Sequence, residues 1–263
     1  MKIDSKYTVI TGASSGRGYE TAKEFAKRGK NLVIVARNKE NLEKLKMEIL
    51  NDNSSLNVIV KDTDLSIIKN VYQLYQELKP YQLETWINNA GFGDYNSVAN
   101  QNLEKVEIMI RLNVEALVIL SSLFVHDYQN IEGSKLINIS SAGGYIIVPN
   151  AVTYCESKFF ISTFTEGLAR ELQGSNAKLQ AKVLAPAATK TNFGNVANNL
   201  EGYDYDKSFG TYHTSKQMAD FLLQLHDSNQ VVGTINRESF KFELLSPLFN
   251  YAGNPKHNQS VIL

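Results

Sequence analysis

The sequence predicts an α/β fold, a doubly wound parallel β-sheet with helices on both faces. Three observations predict it. Short apolar runs alternate with amphipathic helical segments along most of the chain. The runs are nearly continuous in apolar residues, as strands covered on both faces are. A glycine-rich turn leaves the first run and opens the first helix. The 263 residues, 43% of them hydrophobic, suffice for one domain with a full core. No linker, repeat or low-complexity stretch divides them, so residues 1–263 are read as a single domain.

The elements follow in order. "YTVIT" is a β-branched first strand, and "YETAKEFAKRG" has helical spacing with Gly29 where a C-cap glycine belongs. "NLVIVAR" is the second strand, followed by the helical "KENLEKLKMEIL". "LNVIVKD" and "IIKNVYQLYQEL" repeat the unit, as do "LETWINNAG" and a long helical region from Gln101 to Tyr128. "KLINISS" precedes a helix holding Tyr154, and "KLQAKVLAP" comes after it. Strand–helix–strand units of this kind are right-handed and build a parallel sheet. Residues 192–215, rich in Asn, Gly, Tyr and Asp, lack a period and read as a substrate loop. "GTINRESFKFELLSP" is read as a final strand in altered form, and the chain from Pro247 on as irregular.

Composition narrows the function. The 27 basic and 27 acidic residues cancel, so no nucleic-acid or anionic-membrane partner is expected. The single cysteine, Cys155, forms no intrachain disulfide and fits a reducing cytoplasm. With no local histidine, it reads as a small packing residue rather than a nucleophile. "MKIDSKYTVITGA" lacks the apolar stretch of a signal peptide. "VEALVILSSLFV" carries Glu115, is too short to span a bilayer and reads as a buried helix. No metal site is expected.

The turn is "TGASSGRG", residues 11–18. Gly12, Gly16 and Gly18 allow a tight turn and close approach to a ligand. The amides of Ser14, Ser15, Gly16 and Arg17 then lie where the helix N-terminus faces an anion, which suits a pyrophosphate. The spacing is G-x-x-x-G-x-G. Taken alone it is equally a tight strand–helix turn; its place at the first of a series of such units favours the binding role.

"YCESK" sets Tyr154 and Lys158 four residues apart on one helix face, roughly 6 Å along the axis. Most such pairs are solvated. A free tyrosine, with a pKa near ~10, is a poor base at neutral pH, and a nearby cation favours its phenolate.

Further features fall at the ends of later strands: "NNAG" at 88–91, Asn113 inside the long helix, and "NISSAGG" at 138–144. In order and spacing, from about Lys6 to Thr191, they resemble the classical short-chain dehydrogenase/reductase family, with its Rossmann-type fold. The resemblance implies that Ser141, thirteen residues before Tyr154, is the catalytic serine, with Ser140 a strand-end neighbour. It implies Tyr154 as acid/base, Lys158 as its partner on the nicotinamide ribose, and Asn113 as fourth member of the tetrad. Asn89, Ala90 and Gly91 would line the adenosine side of the cofactor. Asp64 and Leu65 would lie beside the adenine, and Thr189 and Thr191 would touch nicotinamide and phosphates. In this setting Ser141 hydrogen-bonds the substrate oxygen as charge develops. Asn113, a poor mid-helix residue, either holds a water on the proton path from Lys158 or marks a locally satisfied helix distortion.

The second strand ends in Arg37 and Asn38, where NAD-binding folds place a carboxylate. A guanidinium there grips a 2′-phosphate, so NADP(H) is expected over NAD(H). Arg17 replaces an aliphatic residue of the family and either reaches a phosphate or points to solvent. Ala187 stands where the family has glycine, so the loop there is expected to differ, and Glu156 replaces a small residue. The expected pocket residues are Gly143, Tyr145, Val148, Asn150, Ala187 and Phe193, plus the loop to Ser215; with no arginine clamp among them, a small uncharged carbonyl or alcohol is expected. The alternatives are a catalytically idle dinucleotide-binding regulator and an epimerase or dehydratase. The intact tetrad weighs against the first and the short chain against the second. The family's pairing of the long helix with the Tyr154 helix implies a homodimer.

Overall fold

The structure is a computed structural model that describes residues 5–252. The ends of the single-domain span, residues 1–4 and 253–263, lie outside the described residues. The chain runs β1 (Lys6–Thr11), α1 (Gly16–Lys27), β2 (Asn31–Ala36), α2 (Lys39–Asp52), β3 (Val58–Asp62), α3 (Ile68–Leu78) and β4 (Gln82–Asn88). It continues through α4 (Leu103–Ile110), a π-helical turn (Arg111–Ala116), α5 (Leu117–Tyr128), β5 (Lys135–Ile139), α6 (Val152–Gly174) and β6 (Gln180–Ala185). The last part holds β7 (Thr189–Lys190), α7 (Phe193–Asn198), α8 (Tyr205–Ser208), β8 (His213–Thr214), α9 (Ser215–Asp227), β9 (Val232–Ile235) and β10 (Phe242–Leu245).

Eight strands form one sheet in the order β10-β9-β6-β5-β4-β1-β2-β3. All its pairings are parallel except that of β10 with β9. The continuous apolar runs are explained by burial on both faces. In β2, Val33 and Val35 enter the core beneath α3 and α5 with Trp86 and Phe124, while Leu32 and Ile34 enter the opposite core with Phe25 and Leu45. The strand order reverses between β1 and β4, and the crevice outside their carboxyl ends is the place for a ligand.

Four expectations need correction. The long helix starts at Leu103, capped by Asn102, whose side chain accepts from the Lys105 amide. It is interrupted by the π turn at Arg111–Ala116. The two helices and the turn form one apolar run from Leu103 to Tyr128 that is long enough, by length and composition, to cross a bilayer. Here its buried side chains, among them Leu120 and Phe124, pack into the core of the sheet. Residues 192–215 are not a bare loop: α7, α8 and the two-stranded β7–β8 ladder give them structure, in pieces too short for a period to show. "GTINRESFKFELL" folds not into one strand but into the hairpin β9–β10, turned at Phe240 with φ 56°.

Candidate active site

The loop after β1 has the geometry its glycines allow. Gly12 and Gly16 have φ of 67° and 56°, in the left-handed region. A Cβ on Gly12 would stand 2.9 Å from Ala90 Cα. Gly18 differs from expectation. It does not line the groove; a Cβ there would strike the Gly12 carbonyl oxygen and the Asn89 carboxamide, so it is a packing glycine behind the loop.

Beside the loop runs a groove of about 510 Å³. Ser14, Ser15, Gly16 and Arg17 form one wall, and Arg37, Asp64 and Leu65 another. Asn89, Ala90 and Gly91 form its floor and Thr191 its far side. Ser15 is the N-cap of α1 and its hydroxyl makes no capping bond, so the first amides of the helix are left for a ligand. Asn89 both lines the groove and braces the turn: its Nδ2 donates to the Thr11 and Gly12 carbonyls at 2.9 and 3.2 Å. The hydroxyl of Thr11 accepts the amides of Asn89 and Ala90, both at 3.0 Å. Asp64 is fixed by Ser66, whose amide and hydroxyl donate to it at 2.9 and 2.7 Å. Arg37 is exposed at the end of β2, while the neighbouring carboxylate, Asp62, faces Lys39 at 4.0 Å. The shape, the free amides and the cationic edge fit a dinucleotide.

A second cavity, about 400 Å³, opens where the groove meets Tyr154. Ser141, Gly143, Val148, Ala187 and Phe193 line it, as expected. Thr189 also belongs here rather than to the cofactor groove, and its hydroxyl is turned onto the Ala187 carbonyl at 2.9 Å. Ala187 is outside the left-handed region, so its backbone needs no glycine. Tyr145 and Asn150 do not line the cavity. Tyr145 donates its hydroxyl to Glu166 at 2.6 Å and stacks on Phe249, and Asn150 forms a turn with φ 58°. Tyr205 comes from the 192–215 segment expected to supply the pocket, whereas sequence reading missed Tyr95, Arg237 and Phe240, which arrive from the loop after β4 and the β9–β10 turn. No local pattern marks them.

Tyr154 is buried between Tyr95 and Phe193, with ring centroids at 5.8 and 5.5 Å. Burial pushes its phenol above the usual range, while a hydrogen bond with Ser141 and the nearby Arg17 cation pull it back. Ser141 Oγ accepts the Gly143 amide at 3.1 Å, which fixes the hydroxyl at the cavity. Ser140 is structural: its hydroxyl donates to the Lys158 carbonyl at 2.9 Å and meets Ser162 at 2.7 Å. Lys158 Nζ lies 5.8 Å from the Tyr154 ring centroid and donates to the Ile139 carbonyl at 3.0 Å. Burial, then the charge of Arg17, lowers its pKa to about 7. Asn113 is fully buried in the π turn. Both its amide hydrogens are committed, to the Phe92 carbonyl at 2.9 Å and to Ser157 at 3.2 Å, so the side chain is first a brace. Gly91 stands against it; a Cβ there would lie 2.8 Å from Asn113 Oδ1 and 3.6 Å from Lys158 Nζ. Cys155 is buried with its thiol pushed up by burial, as a packing residue should be, and Glu156 is exposed, away from the catalytic face.

Arg17 lines both the groove and the cavity. It is half-buried at the wall between groove and cavity and shares the cavity lining with Tyr154, Tyr205 and Tyr95. With Arg237 also in the lining, the cavity holds two guanidinium groups, and the absence of arginine that implied an uncharged substrate does not hold.

A dinucleotide groove meeting a Ser–Tyr–Lys cluster at the carboxyl edge of a parallel sheet defines a nicotinamide-dependent oxidoreductase class. The family model for short chain dehydrogenases matches residues 6–201, and the chain belongs to that family. An uncharacterised oxidoreductase of Staphylococcus saprophyticus is 24% identical over 98% of this chain and 94% of its own. The structure of a short-chain dehydrogenase from Sphingobium yanoikuyae in complex with NADPH superposes with TM-score 0.78 at 27% identity, covering 89% of each chain. That of a short-chain dehydrogenase/reductase from Burkholderia phymatum in complex with NAD has TM-score 0.74 at 20% identity, covering 85% of this chain and 86% of that one, and is alike in fold.

Proposed function

We propose that the protein is an NADP(H)-dependent oxidoreductase acting on a carbonyl or secondary alcohol. The observation that carries this is the meeting of Tyr154, Ser141 and Lys158 where groove and cavity join. A bound nicotinamide dinucleotide supplies or accepts the hydride. The substrate oxygen sits against Ser141 Oγ and Tyr154. On reduction Tyr154 gives that oxygen a proton, so the carbonyl gains one hydride at carbon and one proton at oxygen. The raised phenol pKa keeps Tyr154 protonated for that role at neutral pH. The Lys158 ammonium stabilises the phenolate left behind and binds the nicotinamide ribose, while Asn113 holds the Gly91–Phe92 backbone beside it.

The preference for NADP(H) rests on Arg37, a cation at the ribose end of the groove with no carboxylate beside it in the lining except Asp64, already bonded to Ser66. The NADPH complex of the Sphingobium relative supports the same choice. The working form is a homodimer through the outer faces of α5 and α6, located in the cytoplasm. A panel of aldehydes, ketones and secondary alcohols with NADPH, NADH and their oxidised forms tests the reading. No turnover with either cofactor would favour the idle regulator instead.

A further inference from the structure

Arg17 is the feature of the cavity that carbonyl reduction alone leaves unexplained. Its side chain belongs to the wall shared by both cavities. Among the described residues it has no hydrogen bond or ion pair, and burial lowers its pKa. A partly desolvated cation without a partner is costly, and a bound anion offsets that cost. Apart from Arg17 and Arg237 the cavity lining has no charged side chain, and it has no Asp or Glu to compete for the guanidinium. Hydrophobic and aromatic walls, among them Val148, Phe193 and Phe240, make up most of the rest.

Two anions are conceivable at this place, one from the cofactor and one from the substrate. The free amides at the start of α1 would serve the pyrophosphate of a bound dinucleotide. Arg17 also lines the cavity beyond that turn, together with Tyr154, Tyr205 and Tyr95, on the substrate side. A planar fork facing a cavity matches a carboxylate through two parallel hydrogen bonds. Resting on the oxidoreductase reading, we propose that the substrate is a carboxylate-bearing carbonyl compound with an apolar body, and that Arg17 binds its carboxylate. Arg17 is then the residue that sets substrate specificity, with Arg237 at the mouth adding to the attraction.

The test compares pyruvate, phenylpyruvate and benzoylformate with their methyl esters, using NADPH and the unmodified protein, Arg17→Met and Arg17→Lys. A hydrogen bond to a charged group contributes about 1.5–3 kcal/mol, so at least one acid should exceed its ester by roughly ten- to a hundredfold in kcat/KM. Arg17→Met should bring that ratio close to one, and Arg17→Lys should keep part of it. Far-ultraviolet circular dichroism and urea unfolding show that the variants are folded. Equal use of acids and esters by the unmodified protein would overturn the proposal. So would an unchanged ratio in Arg17→Met with weaker NADPH binding alone, which would give Arg17 to the cofactor. If no carbonyl is reduced at all, the oxidoreductase reading fails, and calorimetric titration of the same acids into the NADP-saturated protein decides separately. Binding that Arg17→Met abolishes upholds carboxylate recognition; no binding at millimolar acid rejects it.

Discussion

The Asn113 carboxamide closes on both backbone polar atoms of Phe92, accepting its N–H at 3.2 Å and donating to its carbonyl at 2.9 Å. The π turn places a buried amide there, and the loop after β4 is held against α6 through Ser157. Asn113→Ala strands the Phe92 groups and should cost about 1–3 kcal/mol of stability. Because Gly91 lines the cofactor groove, NADPH affinity should fall together with turnover. Urea unfolding and equilibrium NADPH titration measure the two; affinity unchanged while turnover collapses would move Asn113 from brace to proton path.

Tyr154→Phe keeps the ring between Tyr95 and Phe193 and removes only the proton. General acid–base catalysis typically supplies about 10²- to 10⁴-fold, so turnover should drop by at least that much while NADPH still binds. Carbonyl reduction near the unmodified rate would sink the assignment.

Lys158 gives the protein without cofactor a pH signature. Its pKa is about 7 when folded, against an ordinary 10.5. The folded form therefore binds fewer protons than the unfolded chain between those values, and stability rises with pH across that window. Below about 7 both states carry the proton and this slope vanishes. Lys182, lowered to about 8 by burial although it donates to the Ser228 and Gln230 carbonyls, adds to the upper part. Urea unfolding from pH 6 to 9 should show a smaller slope in Lys158→Met than in the unmodified protein, and parallel slopes would contradict the shift.

What the sequence made legible follows from what each feature depends on. The inner strands and the glycine turn are local: continuous apolar runs and a fixed glycine spacing read directly. The β9–β10 hairpin is not, because each strand is only four residues long and β10 is no more than partly buried along its length. Tyr145 stands four residues after Ser141 and reads as pocket; its partner Glu166 lies a helix away and turns it aside, while also accepting the amides of Leu248 and Phe249 at 2.6 and 2.9 Å. Arg17 was legible as an odd residue in the turn. Its place in the cavity wall was not, since the residues that share that lining, such as Tyr205, come from distant parts of the chain.

Assembly is testable on the outer faces of the two long helices. Phe160 is 41% exposed on α6 and stacks on Phe164, and Val118 and Ile119 are partly exposed on α5. Such faces suit a two-fold interface in which the same patch meets itself. Light scattering at micromolar concentration should give a dimer, and Phe160→Glu should weaken it. A monomer for the unmodified protein would rule the dimer out.

The proposed preference for NADP(H) is tested at Arg37. This residue follows β2 directly, lines the groove and is exposed, so its guanidinium costs little to hold there before a ligand arrives. A ribose 2′-hydroxyl needs an acceptor at this point, and arginine has none to offer. A 2′-phosphate needs donors, and the guanidinium fork supplies two in parallel. Asn38 beside it is occupied as the cap of α2, where its side chain accepts the Asn41 amide at 2.9 Å, so it does not substitute for the missing carboxylate. A charge-assisted bond of about 1.5–3 kcal/mol converts to roughly a ten- to hundredfold loss of NADPH affinity in Arg37→Ala. NADH, which lacks the phosphate, should bind the variant nearly as it binds the unmodified protein. The loss should shrink with added salt, because the exposed pair is screened. Titration of both cofactors at two ionic strengths measures all three effects, and equal or better use of NADH by the unmodified protein would remove Arg37 from this role.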